Sequence, residues 1–254
     1  MTPAPGRLAG LAICGIMLGA GAGMADAICL SAPYEGDQGS LPGLLRALKG
    51  ALAPHPSLAR TLAEQAPTLC LDDSLFSEQA YFEPATNRIV LRGGLEPGLQ
   101  LAILIHEIRH VEQLSRGDCP TIETSSSEYI RSRLAMEADA AAMGIHVAWG
   151  LREAGQPEAW EALRNWPTHE DLATRYEAEM TASGDEVRAI GATFAQWFEQ
   201  DERRGLYANA ICANYLDALD REKHLPGTGT LPADFAVRLC VMPDGRPYDC
   251  VLPP

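Results

Sequence analysis

The sequence predicts an α+β protein, with a small β-sheet early in the chain and a mostly helical C-terminal half. Two observations predict this class. Between residues 69 and 92, short segments are separated by a turn that contains Pro and Asn, and two glycines follow the last of them, which is typical of strands and turns. Beyond residue 98, apolar residues recur with helical spacing, most clearly from residue 129 to residue 145.

Each element can be assigned in chain order. Two short helices come first, and the strands follow on both sides of a turn at 84–87. Glycines and a proline at 93–98 precede a long apolar helix, and a polar loop at 115–127 precedes another helix. After residue 153 the chain is helical as far as a linker at 226–230, which leads to a short β-like tail. The assigned ranges are 41–50 and 57–65 for the first helices, 69–71, 81–82 and 88–92 for the strands, and 157–166, 169–182, 185–201 and 206–219 for the later helices.

Residues 106–110 read H-E-I-R-H, an H-E-x-x-H motif that follows the apolar run 99–105. On a helix, His106 and His110 share one face, so two imidazoles point to one place about one turn apart. This arrangement suits a tetrahedral zinc ion, with Glu107 beside it to take a proton from water. The alternative is a helix with two surface histidines and a solvated glutamate. Because the flanking residues are so apolar, the zinc site is the better interpretation.

A third metal ligand is predicted on the helix at 129–145. Glu137 lies within its apolar stripe, and a carboxylate on a buried face is costly unless it is paired or binds a metal. Asp139 lies about 200° around the helix from Glu137, so the two are not expected to bind one ion. We therefore predict Glu137 as the ligand and Asp139 as a residue behind it. An ion pair with Arg133 is the alternative for Glu137, and Arg109 either orients a carboxylate near the site or faces solvent.

The motif and its spacing resemble known metallopeptidases. A Glu 27 residues after the second His resembles the layout of gluzincins. The runs HEIRHVEQ at 106–113 and EADA at 137–140 are similar to a group of bacterial metallopeptidase domains that read H-E-[LI]-R-H-x-x-Q and then E-A-D-A. The resemblance covers about residues 75–150. It implies a minimal zincin-like core, made of a small sheet, the motif helix and the Glu-bearing helix, and zinc-dependent peptide hydrolysis. The extra His and Met-turn of metzincins are lacking.

The N-terminus predicts export to the periplasm or the medium. Residues 1–7 carry one basic side chain, residues 8–24 are apolar, and residues 25–27 (A-D-A) form a cleavage site, so the mature chain would begin at Ile28. An uncleaved anchor is the alternative reading of this segment. After the signal peptide at 1–27, we expect a metallopeptidase core at 28–150 and a helical extension with a disulfide-linked tail at 151–254. No later run is long and apolar enough to span a bilayer.

The cysteines agree with an exported chain. An even number in the mature chain predicts three disulfides, and none of the spacings is C-x-x-C. One bridge is predicted between the last two, because a Pro-Asp-Gly turn lies between them. The other pairings stay open. The six candidates are Cys29, Cys70, Cys119, Cys212, Cys240 and Cys250.

These observations favour an exported zinc-dependent peptidase acting on proteins or peptides. A net charge of −14 argues against nucleic acid as a partner. The alternative function is a zinc-containing binding or structural protein without turnover, in which a protein ligand closes the fourth metal position. Tyr176, Tyr207 and His169 are candidates for a transition-state hydrogen-bond donor, with His169 expected on the surface. The oligomeric state is not predicted.

Overall fold

The computed structural model describes residues 27–37, 39–75 and 78–252, so the predicted signal peptide lies almost wholly outside the described residues. Within these ranges the chain is α+β, as predicted, with a small four-stranded sheet and a helical C-terminal part. The strands are β1 (Ile28–Leu30), β2 (Thr68–Asp72), β3 (Ala80–Glu83) and β4 (Arg88–Arg92). The helices are α1 (Leu41–Leu52), α2 (Pro56–Gln65), α3 (Pro97–Ser115), α4 (Ser126–Glu153), α5 (Glu158–Arg164), α6 (Glu170–Ser183), α7 (Glu186–Trp197), α8 (Asp201–Glu222) and α9 (Phe235–Leu239).

The sheet has the order β1-β2-β4-β3, so β3 forms one edge. Strands β2 and β4 are parallel, while β1 and β3 pair antiparallel to them. The three-residue β1 has too few residues for a sequence pattern, and it was not predicted. Its pairing places Cys29 opposite Cys70, and the two cysteines form a disulfide. This bridge attaches the beginning of the described chain to the centre of the sheet.

Helices α3 and α4 pack against each other and carry the predicted site residues. The sequence pattern predicts one apolar stripe on α4, but the helix is buried on all sides from Ser132 to Ala148. The many alanines and glycine of this stretch allow other helices to approach every face. The polar side chains of α4 are therefore buried as well, and they have to be satisfied inside the protein.

Helices α5 to α8 pack around α3 and α4 and agree with the predicted ranges to within a few residues at most ends. A Cβ at Gly98 would lie 2.4 Å from the backbone oxygen of Glu158, so only glycine permits α5 to approach the start of α3 this closely. Helix α8 begins at Asp201, earlier than the predicted residue 206, because two acidic residues in its first turn favour a helix start.

The prediction of a β-like tail is wrong in its main feature. After the linker the chain forms the short helix α9, and as far as residue 252, the last one described, a single isolated bridge follows it, Val241 with Pro247. The disulfide Cys240–Cys250 is present as predicted and closes the turn between them. We call residues 239–250 the C-terminal loop. Short helices such as α9 are set by packing more than by local sequence, since Phe235 and Leu239 are buried.

The prediction that all six mature cysteines pair is wrong for Cys212, which carries a free thiol. It is half-buried on α8, whereas the two bridges between described cysteines lie at the sheet and in the C-terminal loop. None of the described helices is both long and apolar enough to cross a membrane.

Candidate metal centre

Three side chains from α3 and α4 converge beside a cavity. His106 Nε2 lies 3.0 Å from His110 Nε2, and Glu137 Oε2 lies 3.4 Å and 3.3 Å from these two atoms. A tetrahedral zinc ion with ligand bonds of about 2.0–2.1 Å has its ligand atoms about 3.3–3.4 Å apart. The three atoms therefore form nearly one face of such a tetrahedron.

The surroundings of Glu137 also fit a cation. The side chain is buried, and its Oε1 has no hydrogen-bond partner, although Arg133 Nη2 lies 3.9 Å away. Burial would raise the pKa of this carboxyl, but the two histidines outweigh it and hold the pKa well below its usual range. The predicted alternative, an ion pair with Arg133, is thus present only at long range. A buried carboxylate needs positive charge, and the donor set of two imidazoles and one carboxylate is a common one for zinc.

The hydrogen bonds of Gln113 determine which ring nitrogen of His110 carries the proton. The Gln113 amide nitrogen donates to Met136 O (3.0 Å) and to Asp139 Oδ2 (2.7 Å), both of which only accept. Gln113 Oε1 must then face His110 Nδ1, 2.8 Å away, so Nδ1 carries the proton. Because Nδ1 donates, the Nε2 lone pair of His110 points toward Glu137, which is the tautomer a metal ligand needs.

Asp139 faces away from the three converging side chains, as the angle around the helix predicts. Arg109 binds it in a bidentate manner, with Nε–Oδ2 at 2.7 Å and Nη2–Oδ1 at 2.9 Å, and Tyr248 donates to Oδ1 at 2.6 Å. Arg109 is fully buried and also donates to Glu112 and to the carbonyls of Leu239 and Val241. Arg109 was predicted either to orient a carboxylate or to face solvent, and in the structure it is buried and orients the carboxylate of Asp139.

Glu107 lies next to the converging group and is itself buried. Burial raises the pKa of Glu107 to about 7, the charge of Glu137 adds to this, and His106 and Arg133 oppose it. A carboxyl with such a pKa can both accept and release a proton near neutral pH. Glu107 lines the same cavity as the two histidines and Glu137.

A cavity of about 520 Å³ opens onto this group. Strand β3 contributes one part of its wall, and α8 with the loop before α6 contributes a second. Arg203 holds this second part of the wall in place, because it pairs with Asp171 at 2.9 Å and donates to the carbonyl of Thr168. Apolar side chains of α3, α4 and α5 form the floor: Ala102, Ile103, Ala141, Ile145 and Leu163.

The structure separates the three candidates for a transition-state donor. Tyr207 and His169 line the cavity, whereas the Tyr176 hydroxyl lies 2.7 Å from His146 Nδ1, outside the cavity lining. Burial raises the pKa of Tyr207, and the charges of Glu137 and Glu107 raise it further, so this hydroxyl stays protonated.

His169 was expected on the surface, but it is only 6% exposed. Its ring stacks on Trp166 at 4.1 Å, and Nδ1 lies 2.9 Å from Thr168 Oγ1. Burial lowers the pKa of His169 to about 3, with the charges of His106 and Arg203 adding to the effect. The ring is therefore neutral, and the expectation of a surface residue was wrong because Trp166 covers one face of the ring.

Sequence reasoning missed two residues of this network. Gln113 was part of the recognised pattern, and its position three residues after His110 was the signal for a contact on the same helix face. Tyr248 had no sequence signal, since it lies 109 residues from the carboxylate that it contacts.

Fold and site together define the class of this protein: an α+β chain in which an H-E-x-x-H helix and a Glu-bearing helix form a candidate metal centre beside a cavity. The chain belongs to the Putative metallopeptidase family (DUF6782), whose model matches residues 22–250. This match extends well beyond the 75–150 segment recognised from its motifs and includes the C-terminal loop. Membership implies a metal ion and a hydrolase of the peptidase type. No curated protein and no solved structure matches the chain.

Proposed function

We propose that this chain is an exported zinc-dependent peptidase. The observation that carries the proposal is the convergence of three ligand atoms from His106, His110 and Glu137, all within 4.8 Å of one another, at the wall of a cavity. Such convergence is costly unless a cation is present, because a buried carboxylate needs positive charge and Glu137 Oε1 has no hydrogen-bond partner.

Zinc is the ion that best fits this donor set, since two imidazoles and one carboxylate form a usual catalytic ligand group. Zinc held in this way supplies Lewis acidity, which makes water nucleophilic near neutral pH and polarises a peptide carbonyl. Three protein ligands would leave a fourth position for water on a tetrahedral ion, and all three side chains line the cavity. This open side favours an enzyme over the alternative of a structural zinc site, in which protein ligands close all positions.

Glu107 is the general base of this proposal. It would accept one proton from the attacking water as the new C–O bond forms at the peptide carbon. The same proton would pass to the amide nitrogen as the C–N bond breaks, so that an amine and a carboxylic acid form, and the acid then loses the second water proton to solvent as a carboxylate is released. His169 and Tyr207 are the two candidates to donate a hydrogen bond to the developing oxyanion, since both line the cavity.

The substrate is proposed to be an extended peptide segment. Strand β3 is the edge of the sheet among the described residues, and Ala80 and Tyr81 of this strand line the cavity. An edge strand offers backbone donors and acceptors that can pair with an added peptide strand. The second part of the wall, which includes Leu206 and Tyr207, would contact the side chains of that peptide.

Export is supported by the covalent structure of the chain. The disulfides Cys29–Cys70 and Cys240–Cys250 are typical of proteins that fold outside the reducing cytosol. The A-D-A sequence before Ile28 remains the proposed cleavage site.

The test compares wild type with Glu107→Gln in cleavage of a peptide library, with zinc content measured on the same samples. The variant should keep its zinc and its fold and lose activity by roughly a hundredfold or more, the usual scale for removal of a general base. Glu202→Gln is the matched control, because Glu202 also lines the cavity but is exposed at its rim. Equal cleavage by wild type and Glu107→Gln would favour the binding or structural protein.

A further inference from the structure

We propose that Tyr248, in the C-terminal loop, is a positioning residue for His110, so that this loop helps to set the affinity of the metal centre. The proposal rests on the proposed function, because it takes His110 as a metal ligand. Tyr248 does not reach the ligand itself. It acts through Asp139 and Gln113, which connect it to the far side of the His110 ring.

The carboxylate of Asp139 is held in one orientation and joins Tyr248 to Gln113. Each of its oxygens accepts two hydrogen bonds: Oδ1 from Arg109 and Tyr248, and Oδ2 from Arg109 and Gln113. A carboxylate offers about four acceptor positions, so all of them are used. The residue is fully buried, and no water competes for these positions. The orientation of the carboxylate is therefore determined by its three partners together.

Gln113 transmits this orientation to the histidine. Its amide nitrogen is held by Asp139 and by the carbonyl of Met136, which leaves its oxygen in the plane where His110 Nδ1 donates. A metal-ligating histidine whose second nitrogen is held in this way has a defined ring angle and tautomer. Any loosening of Asp139 permits the Gln113 amide, and then the imidazole, to rotate.

The C-terminal loop places the Tyr248 hydroxyl with little freedom. The Tyr248 amide donates to the carbonyl of Cys240 at 3.0 Å, and Cys240 is joined to Cys250 by the disulfide. Arg109 attaches the same loop to α3 through the carbonyls of Leu239 and Val241, at 3.1 Å and 2.8 Å. The C-terminal loop is remote in sequence from Glu137, so its distance along the chain predicts no effect on metal binding. In the folded chain, however, the loop contacts Asp139 and Arg109, the two residues behind the metal centre.

The test is Tyr248→Phe, which keeps the buried ring and removes only the hydroxyl. The zinc dissociation constant is measured by competition with a chelator, and the visible spectrum of the cobalt(II)-loaded protein reports the ligand geometry. We expect zinc to bind roughly tenfold more weakly, at the lower end of the 10–100-fold range for residues behind a ligand, because Tyr248 acts through two intermediates. The cobalt spectrum should shift.

Tyr176→Phe is the matched control. Tyr176 is also buried, and its hydroxyl lies 2.7 Å from a histidine, but that histidine is His146, outside the metal centre. Both variants should lower the melting temperature, and only Tyr248→Phe should change the zinc affinity and the cobalt spectrum.

Unchanged zinc affinity and spectrum in Tyr248→Phe, or equal changes in both variants, would overturn the inference while leaving the proposed peptidase intact. A wild type that binds zinc with the expected Tyr248 dependence but cleaves no peptide would support the inference and refute the proposed function. Failure of the wild type to bind zinc would overturn both.

Discussion

Arg109→Lys tests how far the fold depends on the buried network behind the metal centre. Arg109 makes five hydrogen-bonding contacts: two with Asp139, one with Glu112, and one each with the carbonyls of Leu239 and Val241. A lysine ammonium has three donors, so at least two of these acceptors lose their partner. The side chain is 0% exposed, and water cannot replace the lost donors.

The magnitude follows from this count. A buried acceptor left without a donor costs about 1–3 kcal/mol, so the substitution should destabilise the protein by about 2–6 kcal/mol. The charge is kept, which avoids the larger cost of two uncompensated buried carboxylates. Domains are stable by about 5–15 kcal/mol, so the variant should still fold.

The assay is urea unfolding followed by tryptophan fluorescence, because Trp160 and Trp197 are buried in the folded chain. With a slope of roughly 1–3 kcal/mol per M, the midpoint should fall by about 1 M or more. The matched control is Arg116→Lys, at the residue directly after the same helix, where the side chain is 27% exposed and pairs with Asp118. Its effect should stay below about 1 kcal/mol. Equal midpoints for the two variants would refute the reasoning.

Three further predictions concern the metal, acid stability and the mature chain. Purified protein should hold about one zinc per chain. Elemental analysis should show that His106→Ala, His110→Ala and Glu137→Ala each lose most of this zinc. Retention of zinc by Glu137→Ala would remove Glu137 from the ligand set. Burial raises the pKa of Asp171, but hydrogen bonds from Arg203 and Gln196 outweigh this and lower it. Its stabilisation is therefore complete above the unfolded pKa of about 3.9 and is lost as the pH falls through the lower folded pKa; Asp171→Asn should unfold less steeply there than wild type. Mass spectrometry of the secreted protein should find Ile28 at its start, and thiol titration should find Cys212 reactive after unfolding; a Cys212 found in a disulfide would contradict the structure.

Local sequence was sufficient for the features that depend on neighbours along one helix or one turn. The spacing of His106 and His110 places both rings on one face of α3, whatever the rest of the fold does. The angle between Glu137 and Asp139 on α4 likewise follows from helix geometry alone. The Cys240–Cys250 bridge was predictable for the same reason, since only a short turn separates the two cysteines.

The cost of burying a charge allowed one further prediction from the sequence, the third candidate ligand. A glutamate within an apolar stripe had to have a partner, and this argument pointed to Glu137 although nothing in the sequence shows α4 in contact with α3. The structure adds the distances, which bring Glu137 Oε2 to within 3.4 Å of both histidines. Its role as a ligand remains the proposal that the alanine variants test.

Tertiary packing alone decided the remaining features. The burial of His169 depends on its stacking against Trp166 in the cavity lining, and the strand β1 depends on its pairing with β2. The contact of Tyr248 with Asp139 joins residues 109 positions apart. Hydrophobic periodicity predicts which face of a helix or strand is buried, but it does not predict which distant segment packs against that face. The sequence by itself therefore determined the motif helix, the candidate ligands and the α+β class, while the network that orients His110 exists only because the folded chain brings its C-terminal loop back behind α3 and α4.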